Sequence, residues 1–79
     1  MTKKQNYEQQ IKRITEISMF IKNWRVNDGL SQSEFSSLAG THANTIHNLE
    51  AGKNITLLTL FNTLDAMEMT LSEFFDGME

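Results

Sequence analysis

Apolar residues in the first third of the chain recur at steps of three and four positions, which is the spacing of one face of an α-helix. They are Tyr7, Ile11, Ile14, Ile17, Ile21 and Trp24, with Met19 and Phe20 widening the face. Asp28 and Gly29 supply a stop signal. The pattern predicts a first helix from about Tyr7 to Asn27. Residues 1–13 form an N-terminal extension beyond what a compact domain of this size needs, and they are a candidate surface for packing on a second subunit.

Capping signals predict two short helices behind the first. Ser31 is followed three residues later by Glu34, a capping box that starts a second helix. Gly40 can take the left-handed conformation that ends it. The side chains expected to face inward are Phe35, Leu38 and Ala39. A third helix follows from about His42 to Glu50, so residues of about 31–50 form a helix-turn-helix unit.

Two further helices complete the prediction. Thr56 or Asn54 can cap a fourth helix, and Thr70 with Glu73 forms a second capping box that opens a fifth. The expected apolar face of the fourth helix is Leu57, Leu60, Phe61, Leu64 and Met67, and that of the fifth is Leu71, Phe74 and Phe75. Together with the absence of proline, these signals predict an all-α chain of five helices in a single domain, 1–79.

Composition excludes several kinds of site. The chain has no cysteine, so it has no disulfide, and two histidines fall short of the roughly four donors of a structural zinc site. We therefore expect no metal and no cofactor. No apolar run approaches the roughly 18 residues of a membrane span, and no apolar run follows the first lysines as in a signal peptide. The expected location is the cytoplasm, near the nucleoid of a bacterium or in a phage-infected cell.

The chain has a net charge of −3, and its charged residues are unevenly distributed along the sequence. Residues 1–30 carry six basic and three acidic side chains, whereas residues 57–79 carry five acidic side chains and no basic one. An anionic partner would therefore meet the first two-thirds of the chain and be repelled by the rest.

From Gly29 to about Phe75 the chain resembles the phage repressor and Cro helix-turn-helix family, also called the XRE family. The matching segments are G-L-S-Q-S-E-F at 29–35, A-G at 39–40, T-I-H-N-L-E-A-G-K at 45–53, T-L-L-T-L-F-N-T-L at 56–64 and L-S-E-F-F at 71–75. The resemblance implies a five-helix, lambda-repressor-like DNA-binding domain, here with an extended N-terminal helix.

The resemblance also implies roles for individual residues. Arg25 and Glu50 match a structural ion pair between the first helix and the end of the recognition helix. Gln32 matches a glutamine that touches a phosphate and braces that helix. Positions turned toward the major groove are occupied by His42, Ala43, Asn44, His47 and Asn48. The expected phosphate contacts are Gln32, Lys53, Asn54, Thr56 and Lys22.

Four residues depart from the family pattern. Ser36 replaces an alanine at a close helix crossing, and Thr41 replaces a valine or isoleucine. His42 stands where a serine or threonine cap is usual, so we expect Thr41 to cap the third helix instead. Ile55 replaces the proline before the fourth helix.

The positions turned toward the major groove carry amide side chains where arginine is common in DNA-reading helices. Asn44 and Asn48 are four residues apart and project from one side of a helix. Asparagine can bond bidentately to the edge of adenine, and alanine can contact a thymine methyl group, so we expect A·T pairs in the site. The alternative is that both are ordinary surface asparagines.

The leading hypothesis is a sequence-specific regulator of transcription, a dimeric repressor that reads a palindromic operator in double-stranded DNA. The dimer would form through the last helix or the N-terminal extension. The alternative is an antitoxin-type module that binds a toxin and regulates its own promoter. No nucleophile, base and orienting group cluster in the sequence, so we expect no enzyme activity.

Overall fold

The computed structural model describes residues 3–53 and 55–78, with side chains from residue 6 onward. Its five helices are α1 (Lys3–Asn27), α2 (Gln32–Leu38), α3 (Ala43–Glu50), α4 (Leu57–Ala66) and α5 (Leu71–Gly77). No strand occurs in these ranges. The prediction of an all-α, five-helix fold is confirmed. α1 begins at Lys3, earlier than the predicted Tyr7, because nothing in the sequence before Tyr7 breaks a helix.

Side-chain caps fix where three of the helices begin. In the first capping box the Glu34 backbone N–H donates to Ser31 Oγ at 3.0 Å, and the Ser31 N–H donates to Glu34 Oε1 at 2.9 Å. Thr70 and Glu73 form the same pair of bonds at the start of α5. Thr56 caps α4 by accepting the Thr59 N–H at 3.1 Å. These bonds satisfy N–H groups that a helix start leaves without backbone partners.

Tight turns join the helices. Gly40 takes a left-handed conformation with φ 66°, and the next N–H, that of Thr41, donates back to the Ser36 carbonyl at 2.9 Å. This is the bond pattern that ends a helix at a glycine. Glu68 makes the same kind of turn after α4 with φ 56°, although it carries a side chain. It is the single non-glycine residue with positive φ in the described part of the chain.

One core joins all five helices. Its buried members are Ile21, Phe35, Ala39, Ile46, Leu49, Leu60, Leu64, Met67 and Phe74. The rings of Phe20 and Phe74 meet edge to face at 4.9 Å between centroids, which joins α1 to α5. Since α3 contributes both Ile46 and Leu49, one flank of that helix is fixed against the interior.

Several residues on the predicted apolar helix faces are exposed. They are Tyr7, Ile11, Met19, Leu38, Leu57, Phe61, Leu71 and Phe75, and Leu58 is exposed as well. In α4 the reason is Thr63, which is fully buried because its hydroxyl donates to the Thr59 carbonyl at 2.8 Å. With its polar group satisfied inside the helix, Thr63 turns inward beside Leu60 and Leu64. Leu57 and Phe61 therefore face outward.

The first turns of α1 project beyond the core. A helix of 25 residues is about 37 Å long, which is close to the 41 Å longest dimension of the molecule. Tyr7 and Ile11, near its start, are 66% and 43% exposed. None of the described helices is long and apolar enough to cross a membrane.

Candidate nucleic-acid interface

α3 has one buried flank and one polar flank. Ile46 and Leu49 are 0% and 2% exposed. The opposite face carries the predicted base-contacting residues, of which Ala43, Asn44 and His47 are exposed and Asn48 is half-buried. Because a helix turns by about 100° per residue, these four positions share one side of α3. The helix therefore presents mainly polar side chains on one face while its other flank is packed into the core.

The start of α3 differs from the prediction. His42 occupies the N-cap position, with extended backbone angles, and its side chain makes no capping bond. Thr41 does not cap the helix, so that expectation is wrong. The reason is the turn at Gly40, which commits the Thr41 N–H to α2 and delays the helix start until after His42. His42 is exposed beside the first turn of α3.

Asn48 lies at a small cleft between α3 and the start of α4. The cleft measures about 130 Å³ and is lined by Thr45, Asn48, Leu49, Ile55, Thr56 and Thr59. The Asn48 amide is therefore more restricted than that of Asn44, which is exposed on the preceding turn. Of the two asparagines, Asn44 is the freer to reach a base edge.

Arg25 and Glu50 hold α3 to α1. Arg25 Nε donates to Glu50 Oε2 at 2.6 Å, and Nη2 donates to Oε1 at 3.0 Å, which makes the pair bidentate. The remaining Nη1 donates to the Leu30 carbonyl at 2.6 Å. The two side chains are 11% and 3% exposed. A charged pair this far from solvent, with these additional bonds, fixes three segments relative to one another.

Gln32 completes this network from the first turn of α2. Its amide nitrogen donates to Glu50 Oε1 at 3.1 Å, and the side chain is half-buried. A primary amide has two hydrogens, so one is left for another acceptor.

Hydrogen bonding from Arg25 to Glu50 raises the pKa of the arginine. Arg25 is therefore a structural cation, committed to Glu50.

The predicted phosphate contacts lie on several elements. Lys22 on α1 and Lys53 after α3 are both exposed. The Thr56 hydroxyl is exposed while it caps α4 and donates to Thr59 Oγ1 at 2.9 Å. Asn54 lies outside the described residues. Within the described ranges, no group of three or more acidic or histidine side chains is placed to hold a metal ion.

A family model described as helix-turn-helix matches residues 21–74, which is more than half of the chain. The chain belongs to this helix-turn-helix family. Membership confirms the resemblance to the phage repressor and Cro type and supports a DNA-binding role in transcriptional regulation. No curated protein shows significant similarity to the chain.

Parts of the structure lie outside the helix-turn-helix match. They include the first 18 described positions, residues 3–20, and the end of α5 from residue 75. The matched region contains all the residues predicted to contact bases. The DNA-binding family therefore accounts for α3 and its support, but not for the projecting start of α1.

Sequence reasoning missed several contacts around α3. Thr45 and Thr59 line the cleft beside Asn48, and the Leu30 carbonyl is a second partner of Arg25 besides Glu50. Thr45 lies three residues before Asn48, so helical spacing offered a signal for it. The Leu30 carbonyl had no sequence signal, because a backbone acceptor depends only on the path of the turn.

Proposed function

We propose that this protein is a dimeric repressor that inserts α3 into the major groove of a palindromic operator. The observation that carries the proposal is the division of α3 into two flanks. Ile46 and Leu49 are buried, and the face opposite them presents Ala43, Asn44 and His47 to solvent. Repression would follow from occupancy of promoter DNA.

Base recognition would rest on amides. Asn44 can accept from adenine N6 and donate to N7, and Ala43 offers a methyl contact to thymine. Asn48 can do the same as Asn44 once its side chain turns out of the cleft. His42 and His47 add groups that bond to bases or phosphates at the edges of this face. The chemistry favours A·T pairs in each half-site.

Phosphate contacts would be few. Lys22 and Lys53 are the exposed cations among the predicted contacts, and Gln32 and Thr56 add neutral donors. Two cations in each half-site give about four in a dimer, for which the slope of log affinity against log salt is about −4. Two half-sites about 34–36 Å apart would then be needed for useful affinity.

The test is selection from a random pool of duplex DNA, followed by affinity measurements on the selected site. Asn44→Ala should weaken binding by about 1–3 kcal/mol, and Asn48→Ala by less. Asn23→Ala, an exposed asparagine on α1, is the matched control and should leave affinity unchanged. Equal affinity of the Asn44→Ala variant and the wild type for the selected site would contradict the proposed base readout. A salt slope much steeper than −4 would show that phosphate contacts have been missed.

The antitoxin-type alternative is favoured by the net charge of −3 and the acidic residues 57–79. Such a module would bind a toxin as well as its own promoter. Co-expression with the product of a neighbouring reading frame separates the two roles. A stable complex that still binds the promoter supports the antitoxin version.

A further inference from the structure

One surface cavity uses none of the residues that are predicted to contact DNA. It measures about 280 Å³, and its lining residues are Trp24, Asp28, Leu38, Ala66, Met67 and Glu68. We call it the Trp24 cavity. Because a water molecule in the liquid occupies about 30 Å³, the Trp24 cavity has room for about nine non-hydrogen atoms of a ligand. The proposed function gives this space no role.

Three helices end at the Trp24 cavity. Trp24 lies in the last turn of α1, and Asp28 follows that helix directly. Leu38 is the last residue of α2, Ala66 is the last residue of α4, and Glu68 lies two positions further on. The C-terminal end of a helix has a partial negative charge, because its peptide dipoles are aligned and its last carbonyl groups have no partner within the helix. Negative partial charges therefore converge on this cavity.

The cations that commonly balance helix ends are missing at these three ends. The last turns of α2 and α4 contain no basic residue, and the last turn of α1 contains only Arg25, which is committed to Glu50 at 2.6 Å. None of the six lining residues is basic, whereas Asp28 and Glu68 add two exposed carboxylates. These charges make the electrostatic potential in the Trp24 cavity negative, which favours a cationic ligand.

Aromatic and apolar side chains form the rest of the lining. Trp24 is half-buried, and its ring packs against that of Phe35 at 5.8 Å between centroids, which fixes its position. The indole ring is the aromatic group that attracts a cation most strongly. Leu38, which is 60% exposed, and the buried Met67 offer contacts to a hydrocarbon group. The lining therefore suits a ligand with a charged end and an apolar body.

We infer that the Trp24 cavity binds a small organic cation, an ammonium group attached to an apolar body of a few carbon atoms. The carboxylates of Asp28 and Glu68, the helix ends and the Trp24 ring attract the ammonium group, while Leu38 and Met67 contact the body. The inference goes beyond the proposed function, since it requires neither DNA nor a second copy. For a ligand of about nine atoms, we expect a dissociation constant on the order of 0.1–1 mM.

The first test compares two ligands of the same shape. Cyclohexylmethylammonium is the probe, and cyclohexylmethanol is its uncharged counterpart. Trp24 is the only tryptophan in the chain, so its fluorescence reports directly on the cavity. Amide chemical shifts measured by NMR locate the binding site independently. The ammonium probe should change both signals saturably, and the alcohol should bind at least about 10-fold more weakly.

The second test removes the two carboxylates of the cavity. The double variant Asp28→Asn with Glu68→Gln should bind the ammonium probe at least about fivefold more weakly than the wild type. The matched control is Glu8→Gln with Asp76→Asn, which removes the same charge from exposed positions outside the cavity and should bind normally. All four positions are exposed, so thermal melting should show that both variants fold.

Each outcome decides for or against the inference. It is overturned if the ammonium probe gives no saturable response up to about 10 mM, well above the expected constant. Equal affinities for the ammonium and the alcohol overturn it as well, and so does an equal loss of affinity in the two double variants. Shifts centred away from residues 24–28, 38 and 66–68 would place the ligand elsewhere and also overturn it. Operator selection involves no such ligand, so failure of the proposed DNA readout is a separate result.

Discussion

Removing either partner of the Arg25–Glu50 pair should be among the most damaging substitutions in this protein. Replacement of Glu50 by methionine leaves the Arg25 guanidinium, 11% exposed, with the Leu30 carbonyl alone, and it also removes the acceptor of Gln32. Breaking a buried pair in this way costs about 3–5 kcal/mol. A chain of 79 residues has about 4–12 kcal/mol of stability, at about 0.05–0.15 kcal/mol per residue.

The two single variants and the double variant should differ in stability. Glu50→Met should lower the melting temperature by at least about 12 °C, since each kcal/mol shifts a domain of this size by about 4–8 °C. Arg25→Met should cost less, because Glu50 keeps the bond from Gln32. The double variant should be more stable than the sum of the single effects predicts, with a coupling of about 2–3 kcal/mol.

The assay is urea unfolding followed by circular dichroism on all four members of the cycle. Arg13→Met is the matched control, because Arg13 is exposed on the same helix and, among the described residues, donates a hydrogen bond only to Gln10, at 3.3 Å. It should change stability by no more than about 0.5 kcal/mol. Additive single effects, or a Glu50→Met variant as stable as the control, would refute the argument that this pair fixes α3 to α1.

Three other predictions concern stability. Glu68→Gly should stabilise the protein by about 1 kcal/mol in thermal unfolding, since glycine adopts the positive φ of 56° without the steric cost of a side chain. Ser18→Ala should be neutral or stabilising by up to about 1 kcal/mol, because the buried Ser18 hydroxyl has no hydrogen-bond partner in the part of the chain that the structure describes and alanine is the better helix former; a loss above about 1 kcal/mol would show a hidden bond. Hydrogen bonds donated by the N-cap backbone N–H groups hold the pKa of both Glu34 and Glu73 below the ordinary 4.5. The two carboxylates therefore contribute fully to the stability of the protein above that pH, and this contribution is lost as the pH falls through the lowered pKa values. The urea midpoint should therefore fall on acidification below about pH 4.5, and less so in the Glu34→Gln, Glu73→Gln variant, whose amides keep the cap geometry without titrating.

Local signals allowed much of the fold to be predicted. The capping boxes at Ser31 and Thr70 and the glycine at position 40 act through neighbours within a few residues, so their effect is visible in the sequence. For the same reason the helix-turn-helix unit of about residues 31–50 could be assigned before the structure.

The direction in which an apolar helix face points could not be predicted as well. Spacing alone made Leu57 and Phe61 core residues in α4, yet the buried position went to Thr63, which satisfies its own hydroxyl within the helix. These outcomes depend on where neighbouring helices lie, which spacing within one helix does not contain.

The short side chains on α3 determine how accurately the helix must be positioned for the proposed base readout. Asparagine is much shorter than arginine, so the proposed readout by Asn44 would require the helix backbone to lie closer to the base edges. Ala43 permits that approach because it adds almost no bulk to the same face. A short contact also tolerates little error, since a hydrogen bond weakens steeply beyond its narrow range of distance and angle. Under the proposed function, a recognition helix that uses amides must be held firmly, and the network of Arg25, Glu50 and Gln32 supplies that rigidity.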